Sequence, residues 1–127
     1  MSTQQPAIYL FLKDLPDAVA KVSTGCKPST PFLGAAAELL AAHHLGWTLV
    51  SDTTDGHDAE HGPDWIEIRS STNDIQPKTG ASKDHNVFCW VRFKIDGGHL
   101  WLTGISTRPR GSGNSTQHLK VSPQKVF

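Results

Sequence analysis

Asn86-Val-Phe-Cys-Trp-Val-Arg-Phe-Lys-Ile-Asp96-Gly97-Gly98-His99-Leu-Trp-Leu-Thr-Gly-Ile-Ser106 reads as two strands joined by a tight turn. Asp-Gly and Gly-Gly tolerate the positive φ angles that short hairpin loops require. With Gly97-Gly98 as the loop, Asp96 faces His99, Lys94 faces Trp101, Arg92 faces Thr103 and Trp90 faces Ile105. Side chains alternate along a strand, so Val87, Cys89, Val91, Phe93 and Ile95 share one face, joined by Leu100, Leu102 and Gly104. That face is apolar and belongs to the core. The other carries Phe88, Trp90, Arg92, Lys94, Trp101 and Thr103, with aromatic and basic residues alternating.

The chain around this hairpin is one domain's worth: 127 residues, 37% apolar and 19% charged. Such a balance implies a globular fold that buries roughly two thirds of its unfolded surface. Zero net charge excludes a protein that grips long nucleic acid by bulk charge alone. The charge is nevertheless split: residues 1–64 hold 3 positive and 8 negative groups, residues 65–127 hold 9 positive and 4 negative. The hairpin lies in the basic half.

Outward from the hairpin, Ala7–Leu12 is a short apolar run that suits a strand covered on both faces. Asp14 or Asp17 then caps a short helix through Val22, ended by Gly25. Thr30-Pro31 marks an N-cap followed by proline at the first helical position, and the helix from Pro31 to Leu45 carries a Phe32, Ala36, Leu39, Leu40, His43 stripe. Gly46 stands where a C-terminal glycine belongs. A strand starts at Trp47–Val50, residues 51–64 form a long acidic loop, and Trp65–Ser70 is a strand with Ile66 and Ile68 inward. Residues 71–85 form a polar loop. The expected fold is α+β: one or two N-terminal helices packed on an antiparallel sheet of four to five strands. It spans residues 1–106, and residues 107–127 form a flexible basic tail with scope for an edge strand at His118–Val121.

Aromatics on a sheet with Arg and Lys nearby are how several small domains hold single-stranded nucleic acid. The residues placed for that are Arg69, Phe88, Trp90, Arg92, Lys94 and Trp101, with Arg108, Arg110 and Lys120 adding phosphate contacts from the tail. Two other readings stay open. The rings can be covered by the N-terminal segment or by the 51–64 loop, and an aromatic-Arg patch also fits a protein partner.

Acid–base chemistry is the enzymatic alternative. Glu67, Arg69 and Arg92 share a sheet face, and His85, His99 and His118 all fall in the basic half. A carboxylate or histidine base takes the 2′-hydroxyl proton of RNA, an acid protonates the leaving oxygen, and arginines hold the phosphorane charge. In layout and residue class this resembles the barnase-type toxin nucleases. The run from Pro31 through Gly46-Trp47, then His85-Asn-Val-Phe88 and the hairpin, is similar to a double-stranded-RNA-binding domain over about half the chain. Residues 51–85 and the missing Lys-Lys-x-Ala-Lys helix start depart from that family.

The acidic loop Asp52–His61 matches no metal motif, and an EF-hand is broken at Thr54. His43 and His44 suit a helix C-terminus through its dipole. There is no phosphate-binding loop, dinucleotide fingerprint or nucleophile elbow. Cys26 and Cys89 make no disulfide framework, and no signal peptide or transmembrane span is evident. The expectation is therefore a cytoplasmic binding domain with no cofactor, engaging nucleic acid or a protein partner and no membrane, with a metal-independent ribonuclease as the enzymatic alternative.

Overall fold

The computed structural model describes residues 6–50, 58–73, 75, 87–109, 117–119 and 123–127, for 6 and 117–119 the backbone alone. Two helices come first, α1 (Pro6–Ser23) and α2 (Thr30–Leu45). The run Ala7–Leu12 is helical, not a strand. Ala7, Phe11, Leu15, Ala18 and Val22 recur every three or four residues and turn toward the core, a period only a helix satisfies. Ile8, Tyr9, Leu12 and Val19 remain exposed on the other side, which is why the segment is apolar at nearly every position.

Both helices end on a left-handed glycine. Gly25 has φ +82°, and Gly25 N–H donates to the Val22 carbonyl while Cys26 N–H donates to that of Lys21, the Schellman pattern. At Gly46, φ is +71°, and the amides of Gly46 and Trp47 both donate to the Ala42 carbonyl. Ser29, one residue before the expected Thr30, caps α2 by accepting from Phe32 N–H at 3.3 Å. The buried residues of α2 are Phe32, Leu33, Ala35, Ala36, Ala37 and Ala41, wider than the expected stripe, and His43 is exposed. Its alanines let it lie close between α1 and the sheet, so burial spreads beyond one stripe.

The strands are β1 (Thr48–Leu49), β2 (Ala59–His61), β3 (Asp64–Ser71), β4 (Val87–Asp96), β5 (His99–Pro109), β6 (Gln117–Leu119) and β7 (Gln124–Lys125). Their order is β1-β2-β3-β4-β5-β6, with β7 also pairing β5. The sheet is therefore mixed and larger than expected. Ala59–His61 is a strand within the expected acidic loop, turned back onto β3 at Gly62, whose φ is +58°. β3 and β4 run parallel, contrary to the expected antiparallel sheet. Residues 72–86 are long enough for the crossover a parallel pair needs, whereas a tight turn would enforce the opposite sense.

The hairpin turn is Gly97-Gly98, with φ +61° and +80°, the two positive angles of a type I′ turn. Asp96↔His99 and Lys94↔Trp101 pair as expected. Beyond them the register shifts between Arg92 and Phe93, so that Arg92 pairs with Gly104 and Trp90 with Ser106. Thr103 is the extra residue of a β-bulge. The bulge reverses the parity of β5: Ile105, expected outside, is fully buried, and Gly104, expected in the core, lies on the Arg92 side.

One core results, built from Ile66, Ile68, Cys89, Val91, Phe93, Leu100, Leu102 and Ile105 of the sheet and from both helices. Burial pushes the Cys89 thiol up to about 12, so it packs as a small hydrophobe. Phe32 stacks on Phe11 at 5.0 Å and meets the edge of Phe127 at 6.0 Å. Residues 126–127 are tied to Leu100 by two backbone hydrogen bonds, Leu100 N–H to the Phe127 carbonyl and Val126 N–H to that of Leu100. Among the described residues, no helix is long and apolar enough to cross a membrane.

Candidate functional site

Both helices pack against the Cys89, Val91 and Leu102 side, and the other face of β3, β4 and β5 collects the charged residues. Register places them in rows. Glu67, Phe88 and Arg108 form one; Arg69, Trp90 and Ser106 the next; Ser71, Arg92 and Gly104 the third. Lys94 and Trp101 lie further toward the turn. The aromatics and arginines expected to share a face do share it.

Their packing differs from a bare stacking platform. Phe88 is buried at 3% exposure, and the Arg108 guanidinium lies over its ring at 5.6 Å. The Arg92 guanidinium lies over the half-buried Trp90 at 5.0 Å. A guanidinium stacks on an aromatic through its flat face while its N–H groups stay directed outward in the plane. Phe88 and Trp90 thus act as supports for arginines. Trp90 is itself fixed by its indole N–H, which donates to Ser71 Oγ at 2.8 Å, and Ser71 Oγ–H donates to the Asn73 carbonyl at 2.7 Å.

Arg92 is further confined by Gly104. A Cβ on Gly104 would lie 2.8 Å from both Cζ and Nε of Arg92, closer than real atoms approach. The guanidinium therefore occupies the space a side chain would fill. The Arg92 Nε is enclosed and has no hydrogen-bond partner among the described residues.

Glu67 is the buried carboxylate of this face, at 6% exposure. Arg69 donates to Glu67 Oε2 through Nε at 2.8 Å and approaches it through Nη2 at 2.7 Å, while its own side chain remains 47% exposed. Two residues apart on one strand, they necessarily share a face. The ion pair with Glu67 orients the Arg69 guanidinium.

The histidines divide. His99 is exposed beside Trp101, at 6.3 Å in an edge-on arrangement, and lies at the hairpin turn. Nine residues of β5 separate it from Arg108 in the Glu67 row, about 30 Å at ~3.3 Å per residue. It is not a partner of Glu67. The backbone of His118 pairs with Ser106, in the row of Arg69 and Trp90. His85, Arg110 and Lys120 lie outside the described residues.

Gly104 and Ser106, both buried on this face, were not among the expected site residues. A glycine inside a strand commonly marks a bulge or a close approach, and that signal is present in Leu-Thr-Gly-Ile.

Elsewhere, burial and then the charge of Asp58 push Glu38 on α2 from 4.5 up to about 8. Asp58 Oδ2 accepts the Ile68 amide at 2.8 Å and so ties the start of β2 to β3. Among the described residues, no group of three or more His, Cys, Asp or Glu side chains is placed to hold a metal ion. His44 Nε2 lies 3.1 Å from Gln124 Oε1, linking the end of α2 to β7. No protein-family model and no curated protein matches this chain.

Proposed function

We propose that the chain binds RNA or another nucleic acid through the sheet face bearing Arg69, Arg92 and Arg108. The observation that carries this reading is the seating of two guanidiniums on aromatic rings, with a third beside them on an ion-paired carboxylate. Arginines held in this way have lost side-chain freedom before a ligand arrives, and their in-plane N–H groups match phosphate oxygens. Phe88 and Trp90 contribute as supports, and base contact falls to Trp101 and the exposed Trp65.

A fluorescence anisotropy titration with a short labelled single-stranded RNA, at two salt concentrations, tests this. Binding that weakens steeply with salt and is reduced, with a shallower salt dependence, in Arg92→Ala and Arg108→Ala supports it. No binding at low salt would overturn it and direct attention to a protein partner.

A second reading is favoured by Glu67. On this reading the carboxylate, beside Arg69, takes the 2′-hydroxyl proton of bound RNA as that oxygen bonds to phosphorus, the guanidiniums hold the charge on the phosphorane oxygens, and the proton is returned to the leaving 5′-oxygen. The same samples run on a gel separate the two: cleaved RNA, with cleavage lost in Glu67→Gln, indicates a metal-independent ribonuclease, and intact RNA indicates a binding domain.

A further inference from the structure

We propose that Arg92 and the groove beside it form a seat for one nucleotide unit, its phosphate on the Arg92 guanidinium and its base against Trp101. The inference rests on the nucleic-acid reading above and assigns where one unit of the bound chain sits.

The phosphate side is defined by a positioned guanidinium. Buried N–H groups almost always have an acceptor, and an exception marks strain, a water or an ion. The Arg92 Nε is such an exception among the described residues. It belongs to a cation seated over Trp90 at 5.0 Å and accommodated by the missing side chain of Gly104. The β-bulge at Thr103 is what brings Gly104 opposite Arg92, and Thr103 Oγ1 donates back to the Arg92 carbonyl at 3.2 Å, pinning the irregular turn of the strand. A guanidinium positioned by two independent devices has lost side-chain freedom before a ligand arrives, and its outer edge matches an oxyanion.

The base side is a groove of about 310 Å³ next along the strand, lined by Lys94, Asp96, Trp101, Thr103 and Pro123. That volume lies at the small end of ligand sites, which begin near ~300 Å³, and suits a single base with its sugar. Trp101 is half-buried, and its indole N–H donates to the Asp96 carbonyl at 3.1 Å, which fixes the ring. Lys94 is exposed at the rim, on the same strand face as Arg92 and two residues from it. An aromatic wall with cations on one side is complementary to a base that carries its phosphate at one end.

The test is a nuclear magnetic resonance titration of the ¹⁵N-labelled full chain with adenosine monophosphate, adenosine and inorganic phosphate in turn. The nucleotide is expected to shift both the Trp101 indole N–H and the Arg92 Nε–H, and to bind about tenfold more tightly than either fragment. Gly104→Ala, which leaves every charge in place, should weaken the nucleotide about tenfold by displacing the guanidinium. Trp101→Ala should reduce its affinity to that of inorganic phosphate. Dispersed amide spectra verify folding, and Arg92→Gln replaces Gly104→Ala if the latter unfolds. A nucleotide that shifts neither reporter, or binds no better than inorganic phosphate, overturns the seat. If RNA still binds the wild type and both variants equally, the seat alone fails; if RNA does not bind at all, both readings fail.

Discussion

Arg92 and Gly104 are cross-strand partners, and the guanidinium of the first occupies the volume that any side chain on the second would need. Neither residue's role is visible without the other. The arginine is positioned because the glycine is bare, and the glycine is opposite it because Thr103 bulges out of the pairing between Leu102 and Gly104.

Deleting Thr103 should restore regular pairing without changing the partners on either side, so that Gly104 stays opposite Arg92 and Ile105 stays opposite Val91 in the core. The expected cost is about 1 kcal/mol, that of the lost Thr103 hydrogen bond to the Arg92 carbonyl, with RNA binding retained. Chemical denaturation with the titration above checks both.

Salt should report the arginines one by one. For single-stranded RNA each neutralised phosphate contributes about −0.7 to the slope of log affinity against log salt, so three arginines predict a slope near −2. Arg69→Ala, Arg92→Ala and Arg108→Ala should each make it shallower by about 0.7, read from titrations at four salt concentrations.

Glu67→Ala should destabilise the fold by about 1 kcal/mol, because it removes the partner of the half-exposed Arg69 and the buried carboxylate side chain beside Phe88. Glu67→Gln retains an acceptor and should lose less. Urea midpoints at matched slopes distinguish the two.

Glu38 makes stability depend on pH. Its folded-state value is raised from 4.5 to about 8, so between those values the folded chain binds a proton that the unfolded chain has released. The stabilisation is fully present below pH 4.5 and is lost as pH rises through about 8. Glu38→Gln should abolish that dependence and gain on the order of 2 kcal/mol relative to wild type at pH 9, measured by urea denaturation from pH 5 to 9.

Phe32→Ala should cost about 3–5 kcal/mol, since the ring is fully buried between Phe11 and Phe127. Removing residues 123–127 strips away Phe127, β7 and the Pro123 wall of the groove together, and should lower the thermal midpoint while weakening nucleotide binding.

Local chemistry alone determined a good part of this protein. Pro31 and Gly46 bracket α2, Gly97-Gly98 demand the hairpin, and alternation from Val87 to Ile95 separates an apolar face from an aromatic-basic one, because each depends on residues that touch within a few positions. Other features belong to the tertiary structure. Ala7–Leu12 becomes helix because Ala7, Phe11, Ala18 and Val22 meet α2 and the sheet along one stripe, a choice an evenly apolar segment does not announce. The parallel pairing of β3 with β4 depends on where residues 72–86 carry the chain. Above all, the parity of β5 beyond Thr103 depends on core packing. Only the demand to bury Ile105 decides that the strand bulges, and that decision sets Gly104 beneath Arg92.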